Sequence, residues 1–148
     1  MAYRLAALIG APAVLRAAVQ SQPAAVVVPL PQALALVPMT GDLFLALGGV
    51  ATLGFDELPE GLDRVLASCS SGGPISYVEA EYFGGEGTQR AALWVDGSLA
   101  AGPLSADADG SPISQILRLM GVRRSGQHDE FDALGLGRHR ETEKWPKG

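Results

Sequence analysis

The chain has 148 residues, a formal net charge of -5, 47% hydrophobic residues and one cysteine. A domain of that length buries roughly 68–70% of its unfolded surface, so its core needs neither a disulfide nor a metal. The lone Cys69 excludes an internal disulfide and agrees with a reducing, cytoplasmic setting, while the acidic balance argues against a general nucleic-acid binder, whose phosphate contacts need clustered Lys and Arg.

The charge is unevenly placed. No acid precedes Asp42, whereas Arg118, Arg123, Arg124, Arg138, Arg140, Lys144 and Lys147 gather towards the end among acids, as on a solvated mixed-charge surface. Arg4 and the apolar run to Leu15 resemble the start of a secretory signal, but Arg16 ends the run without a small-residue cleavage site. Later apolar tracts are interrupted by Pro29, Pro31 and Pro38 or fall short of the ~20 residues a bilayer requires, so no membrane span is expected.

In chain order, residues 3–9 fit a short strand. Pro12 then opens a helix to about Gln20, since a proline in the first turn lacks only an N–H that has no partner there. The β-branched run 24–28 and the apolar run 33–37 predict two strands joined or kinked at Pro29-Leu30-Pro31. Thr40 and Asp42 suit the start of a helix to Leu47. Residues 50–58 carry no clear periodicity, and 59–67 predict a helix with Leu62, Val65 and Leu66 on one side. Residues 70–74, Ser-Ser-Gly-Gly-Pro, form a linker at which a single α+β domain covering 1–148 could subdivide.

The stretch 75–101 reads as a three-strand antiparallel meander. A four-residue loop Gly84–Gly87 sets Phe83 opposite Thr88, Glu81 opposite Arg90, Ala80 opposite Ala91, Val78 opposite Leu93 and Tyr77 opposite Trp94. Opposite-charge and aromatic cross-strand pairs of this kind contribute roughly 0.2–1 kcal/mol each. Asp96-Gly97 supplies the second turn, placing Val95 opposite Ser98. Residues 101–110 follow as a small-residue acidic loop. Ser111-Pro112 then starts a helix whose Ile113, Ile116, Leu117 and Met120 make a core-facing stripe, closed at Gly121. Asp129 to Leu134 suit one helical turn, and fraying is expected beyond Lys144 unless Trp145 docks. The expected fold is α+β: an antiparallel sheet including the 75–101 meander, packed against several short helices.

None of the chemistry-bearing residues falls into a known catalytic spacing. The glycine-rich Gly84, Gly85 and Gly87 lack the Gly-Lys-Ser/Thr ending of a phosphate loop and are followed by a strand, while Glu86 would repel phosphate, so conformational freedom or close approach of a protein is the better account. Glu79 and Glu81 share a strand face about 6.6–6.8 Å apart, a spacing that superficially matches a hydrolase pair; with Arg90 opposite, a salt-bridged surface is the simpler reading. His128 and His139, each among acids, lack metal-site spacing, and Ser68, Ser70 and Ser71 lack a nucleophile elbow. No catalytic residue, cofactor or metal ligand is assigned.

Residues 77–94, 111–115 and 129–145, with the signatures Tyr82-Phe-Gly-Gly-Glu-Gly-Thr-Gln89 and Asp129-Glu-Phe-Asp-Ala-Leu-Gly-Leu-Gly-Arg138, resemble a family of small bacterial proteins common in actinomycetes, and residues 34–40 extend the likeness. Such relatives in turn resemble immunity proteins of polymorphic toxin systems. The resemblance implies a cytoplasmic protein-interaction module that inhibits a cognate toxin, with Glu79, Glu81, Gly84, Gly85, Glu86, Gly87, Gln89, Asp129 and Arg138 as the partner surface. An acidic patch of Glu79, Glu81, Glu86 and Asp129 would steer a basic partner. Two alternatives stay open: a small hydrolase or ligand-modifying enzyme using Glu79 or Glu81 with a histidine, and a structural accessory subunit of an assembly.

Overall fold

The computed structural model describes residues 2–83, 86–107 and 111–147, with the backbone alone at Glu86, Ala106, Asp107 and Lys147. Its centre is strand β1 (Tyr3–Gly10), in which every residue from Leu5 onward is buried. A strand has two faces, so an unbroken buried run requires a layer on each side. Both layers are present. Leu5, Ala7 and Ile9 enter one apolar cluster, and Ala6 and Leu8 enter the other.

Six strands form one antiparallel sheet in the order β2-β3-β1-β4-β5-β6, where β2 is Val28–Leu30, β3 Leu34–Pro38, β4 Ile75–Phe83, β5 Glu86–Val95 and β6 Ser98–Asp107. The α+β expectation is met, with helices on both faces. On the first face lie α4 (Pro112–Leu119), α5 (Glu130–Ala133) and Trp145. On the second lie α1 (Pro12–Ala18), α2 (Gly41–Ala46) and α3 (Leu62–Cys69), together with Phe55 and Leu58.

Local chemistry explains the element ends. Pro12 sits in the first turn of α1. The Thr40 hydroxyl accepts from the Leu43 amide at 3.2 Å, capping α2. Between β2 and β3, Gln32 and Ala33 turn the chain with φ of 64° and 61°. Gln32 is held there because its side-chain amide both donates to the Arg123 carbonyl (2.7 Å) and accepts from the Arg123 amide (2.9 Å). Asp96 and Gly97 make the β5–β6 turn with φ of 51° and 91°, as the hairpin chemistry predicts.

Several sequence expectations are corrected. The β4–β5 register is two residues tighter than predicted: Phe83 pairs with Glu86, Glu81 with Thr88, Glu79 with Arg90, Val78 with Ala91, Tyr77 with Ala92 and Ile75 with Trp94. Gly87 is therefore a strand residue opposite Tyr82, and a Cβ there would come within 2.1 Å of the Tyr82 ring. The offset is an even number, so every side chain keeps its predicted face even though the Glu81–Arg90 pair is lost.

Residues 101–107 continue β6 rather than forming an acidic loop, with a register shift between Ala91 and Leu93 that absorbs the irregular pairing. Of the run 24–28 only Val28 joins the sheet. In α3 Leu62 and Leu66 are buried, but Val65 points outward. Residues 70–74 are tied in: the Ser70 hydroxyl accepts from Gly97 N–H at 2.9 Å, and its carbonyl accepts from Asp96 N–H at 3.2 Å.

Trp145 docks, the condition under which the tail was expected to be held. β3 pairs with β1 from Ala7 to Gly10, and Met39 N–H just beyond it donates to the Ala6 carbonyl at 2.7 Å, leaving the rest of the 4–6 edge open on that side. The C-terminal segment fills it. Arg4 N–H donates to the Arg140 carbonyl at 2.8 Å, Ala6 N–H donates to the Thr142 hydroxyl at 3.1 Å, and Arg4 bridges Glu141 in parallel. A short 3₁₀ segment, Thr142–Lys147, then sinks Trp145 fully into the first-face core.

Candidate functional site

On the second face, the rows running across β1, β4 and β5 change character along the strands. Leu8, Tyr77 and Ala92 make an apolar row, Ala6, Glu79 and Arg90 the next, and Arg4, Glu81 and Thr88 the last. The helices of this face cover the apolar end. The polar end is covered by the loop 50–60, which residues Ala51 and Pro59 close as a bridge and Phe55 and Leu58 anchor in the core. Phe55 meets the Tyr77 ring edge-on, with centroids 4.9 Å apart.

Glu79 holds that loop. It is only 8% exposed, and its two oxygens accept from the Asp56 amide (2.9 Å), the Glu57 amide (2.7 Å) and the Tyr77 hydroxyl (2.6 Å). Two successive backbone N–H groups converge on one carboxylate, which is why residues 56–57 lie against the strand. The Arg90 guanidinium stands 3.9 Å from Glu79, bonds the Gly54 carbonyl at 2.7 Å and reaches Asp56 at 3.4 Å. Arg4 pairs with Glu57.

Burial raises the Glu79 carboxyl above its ordinary range, and the bonds from Tyr77 and the Asp56 amide, with the Arg90 charge, offset part of that rise. Tyr77 is pushed well above the usual tyrosine value, first by burial and then by the adjacent Glu79.

Beside this cluster lies a cleft of about 640 Å³. Its walls come from α2 (Gly41, Phe44), from the loop (Asp56, Glu57) and from the tail (Arg140, Glu141, Thr142, Glu143), with Arg4 on its floor strand. The Gly41 amide donates to Glu143 at 2.9 Å, so the tail and α2 are joined across one end. Four carboxylates face two guanidinium groups here.

The sheet separates the sequence-proposed partner residues. Glu79 and exposed Glu81 share the second face. Gln89 belongs to the first face and is used internally: its carbonyl oxygen accepts from the Ile113 amide at 3.1 Å, and its amide donates to the Tyr82 hydroxyl. Gln89 thereby caps α4, where Ser111 makes no side-chain cap. Asp129 caps α5 by accepting from the Asp132 amide at 2.9 Å. It lies near Tyr82, a first-face residue. An acidic patch that joined Asp129 to Glu79 and Glu81 is therefore divided by the sheet. Gly84 and Gly85 lie outside the described residues, as does the side chain of Glu86. Gly87 is a strand residue, and Arg138 is exposed with its guanidinium 5.3 Å from the Trp145 ring.

Of the histidines, His128 is exposed and His139 stacks edge-on against Trp145 at 4.9 Å. Among the described residues no three of His, Cys, Asp and Glu come together as a metal-holding group. Sequence reasoning missed Asp56, Glu57, Tyr77 and Arg90 as partners of Glu79, because the loop that supplies two of them has no periodicity to read. One signal was available: Glu79 follows the apolar-face residues Ile75 and Tyr77 at strand spacing, so it had to be either buried or at a face boundary. Known protein families, curated proteins and solved structures give no match to the chain.

Proposed function

We propose that the chain is a cytoplasmic protein-interaction module, and that its bacterial resemblance indicates the form, an inhibitor held in complex with a cognate toxin. The observation that supports this reading is the state of Glu79. Its oxygens are taken by two amides and a phenol, so it serves as an anchor that presents loop 50–60 in a fixed shape next to an open cleft. A preformed loop loses little conformational entropy on binding, which favours affinity.

The hydrolase alternative needs Glu79 or Glu81 free to meet substrate together with a histidine. Glu79 is engaged, Glu81 is exposed, and His139 packs on Trp145, whose ring belongs to the opposite face. Among the described residues no helix is long and apolar enough to cross a membrane.

The test is co-purification of the tagged chain from the organism that encodes it. A protein partner at one-to-one stoichiometry is expected. Repeated recovery of the chain alone would overturn the reading, and substrate turnover abolished by Glu79→Gln would replace it with the enzymatic one.

A further inference from the structure

The C-terminal segment from Arg138 onward is held differently from the rest of the sheet. β4 pairs with the far side of β1 along eight residue positions, whereas this segment meets β1 at an isolated bridge, Arg4 with Glu141. Its further polar ties run through side chains: the Thr142 hydroxyl accepts from Ala6 N–H at 3.1 Å and donates to the Arg4 carbonyl at 3.3 Å, and Glu143 accepts from Gly41 N–H at 2.9 Å. Arg140 to Glu143 also form a wall of the open cleft, so solvent rather than packed protein stands against that side.

Two buried atoms on the same segment are unsatisfied. Among the described residues, the buried side-chain nitrogen and oxygen atoms without a hydrogen-bond partner are His139 Nε2 and Trp145 Nε1, and the two rings meet edge-on with centroids 4.9 Å apart. Buried polar groups are otherwise almost always bonded, and each one that is not shifts the equilibrium about tenfold or more against the structure that buries it. A single movement relieves both, release of this segment into water. Leu136 marks where that movement ends: it is buried in the first-face core, and its carbonyl accepts from the Tyr3 hydroxyl at 2.7 Å. Gly137 follows, exposed, and a Cβ there would meet nothing within 4 Å, so the chain is free to bend at that point.

We propose that residues 138–147 are a strap that detaches as one unit about Gly137 while the six-stranded sheet stays folded. Detachment lifts Trp145 out of the first-face core and uncovers the Arg4 and Ala6 N–H groups of β1 together. The fully buried Trp145 ring keeps the detached form rare. An open strand edge is a template for pairing with another chain, which is why folded proteins cover such edges; the strap thus controls access to an inner strand of the sheet.

The test is hydrogen exchange of the full chain, followed by NMR under native conditions with small additions of urea. Amides alternate in direction along β1, so Leu5 and Ala7 N–H face β4 while those of Arg4 and Ala6 face the strap. The Arg4 and Ala6 amides and the Trp145 indole N–H should share one level of protection, at least about a hundredfold below that of Leu5 and Ala7. The indole lies in the core and the two amides on the sheet edge, so only joint release exposes all three. His139→Phe keeps a ring edge-on to Trp145 and removes one unsatisfied nitrogen, and should slow exchange of the three about tenfold. Exchange of the indole only together with Leu5 and Ala7, or of Arg4 and Ala6 without the indole, would overturn the strap. Exchange left unchanged or made faster by His139→Phe would overturn the unsatisfied atoms as its cause.

Discussion

At the scale of single residues, two buried glutamates titrate in opposite directions, and that contrast is measurable. Burial raises Glu79, so the folded chain binds its proton more tightly than the unfolded chain does; the stability this gives is full below the ordinary value of 4.5 and is lost as pH rises through the raised value. Glu130 is the reverse. Arg118 chelates it with two contacts of 3.2 Å, Arg124 adds one at 3.6 Å, and its carboxyl is held below 4.5. Its contribution is present above 4.5 and is lost as pH falls through the lowered value. Urea unfolding of the wild type, Glu79→Gln and Glu130→Gln across the carboxylate range checks both signs. The advantage of wild type over Glu130→Gln should grow with pH and reach roughly 1 kcal/mol, since both arginines are solvent-screened. Its advantage over Glu79→Gln should shrink with pH. Parallel pH profiles for the two variants would mean that one of these environments is misassigned.

At the scale of elements, what the sequence made legible was whatever rests on short-range chemistry. Thr40, Pro12, Asp96-Gly97 and Asp129 all act where their local patterns place them. The β4–β5 register failed because two registers differing by an even offset keep every residue on its face, and only the identity of the cross-strand pairs separates them, such as Arg90 opposite Glu79 instead of Glu81 and Trp94 opposite Ile75 instead of Tyr77. For the tail, the expectation left open whether Trp145 docks, and its path was unreadable for another reason. Nothing local in residues 140–147 announces that β3 stops short and leaves part of β1 to be paired. Trp145 is the anchor of that pairing, fully buried against α4 and α5 residues of the first-face core. Trp145→Ala should therefore cost about 3–5 kcal/mol, and hydrogen exchange at the Arg4 and Ala6 amides, which bond the tail, should accelerate before exchange elsewhere in β1. A loss below about 1 kcal/mol would show that the tail is dispensable to the sheet.

At the scale of the whole molecule, the sequence made the α+β class legible but not the double-sided burial of the sheet, and of the residues around the cleft it singled out only the neighbouring Glu79, not those of the lining. The reason is common to both. The second face is built by segments far apart in sequence, with α2, loop 50–60 and the tail meeting only because β1 stands between β3 and β4. The same topology bears on whether the chain divides at residues 70–74. β1 and β4 come from opposite sides of that stretch and pair along eight residue positions, from Tyr3 opposite Tyr82 to Gly10 opposite Ile75. Separating the halves would break the central ladder and open both cores at once, so a single cooperative transition is expected. The two tryptophans report on it from opposite layers, Trp94 in the second-face core and Trp145 in the first. Variants Trp94→Phe and Trp145→Phe each leave one reporter, and in each the fluorescence and far-UV circular dichroism transitions in urea should coincide. A fluorescence transition that precedes the dichroism change in only one variant would show the layer around its remaining tryptophan coming apart first, and the shared ladder would then be too weak to couple the two faces.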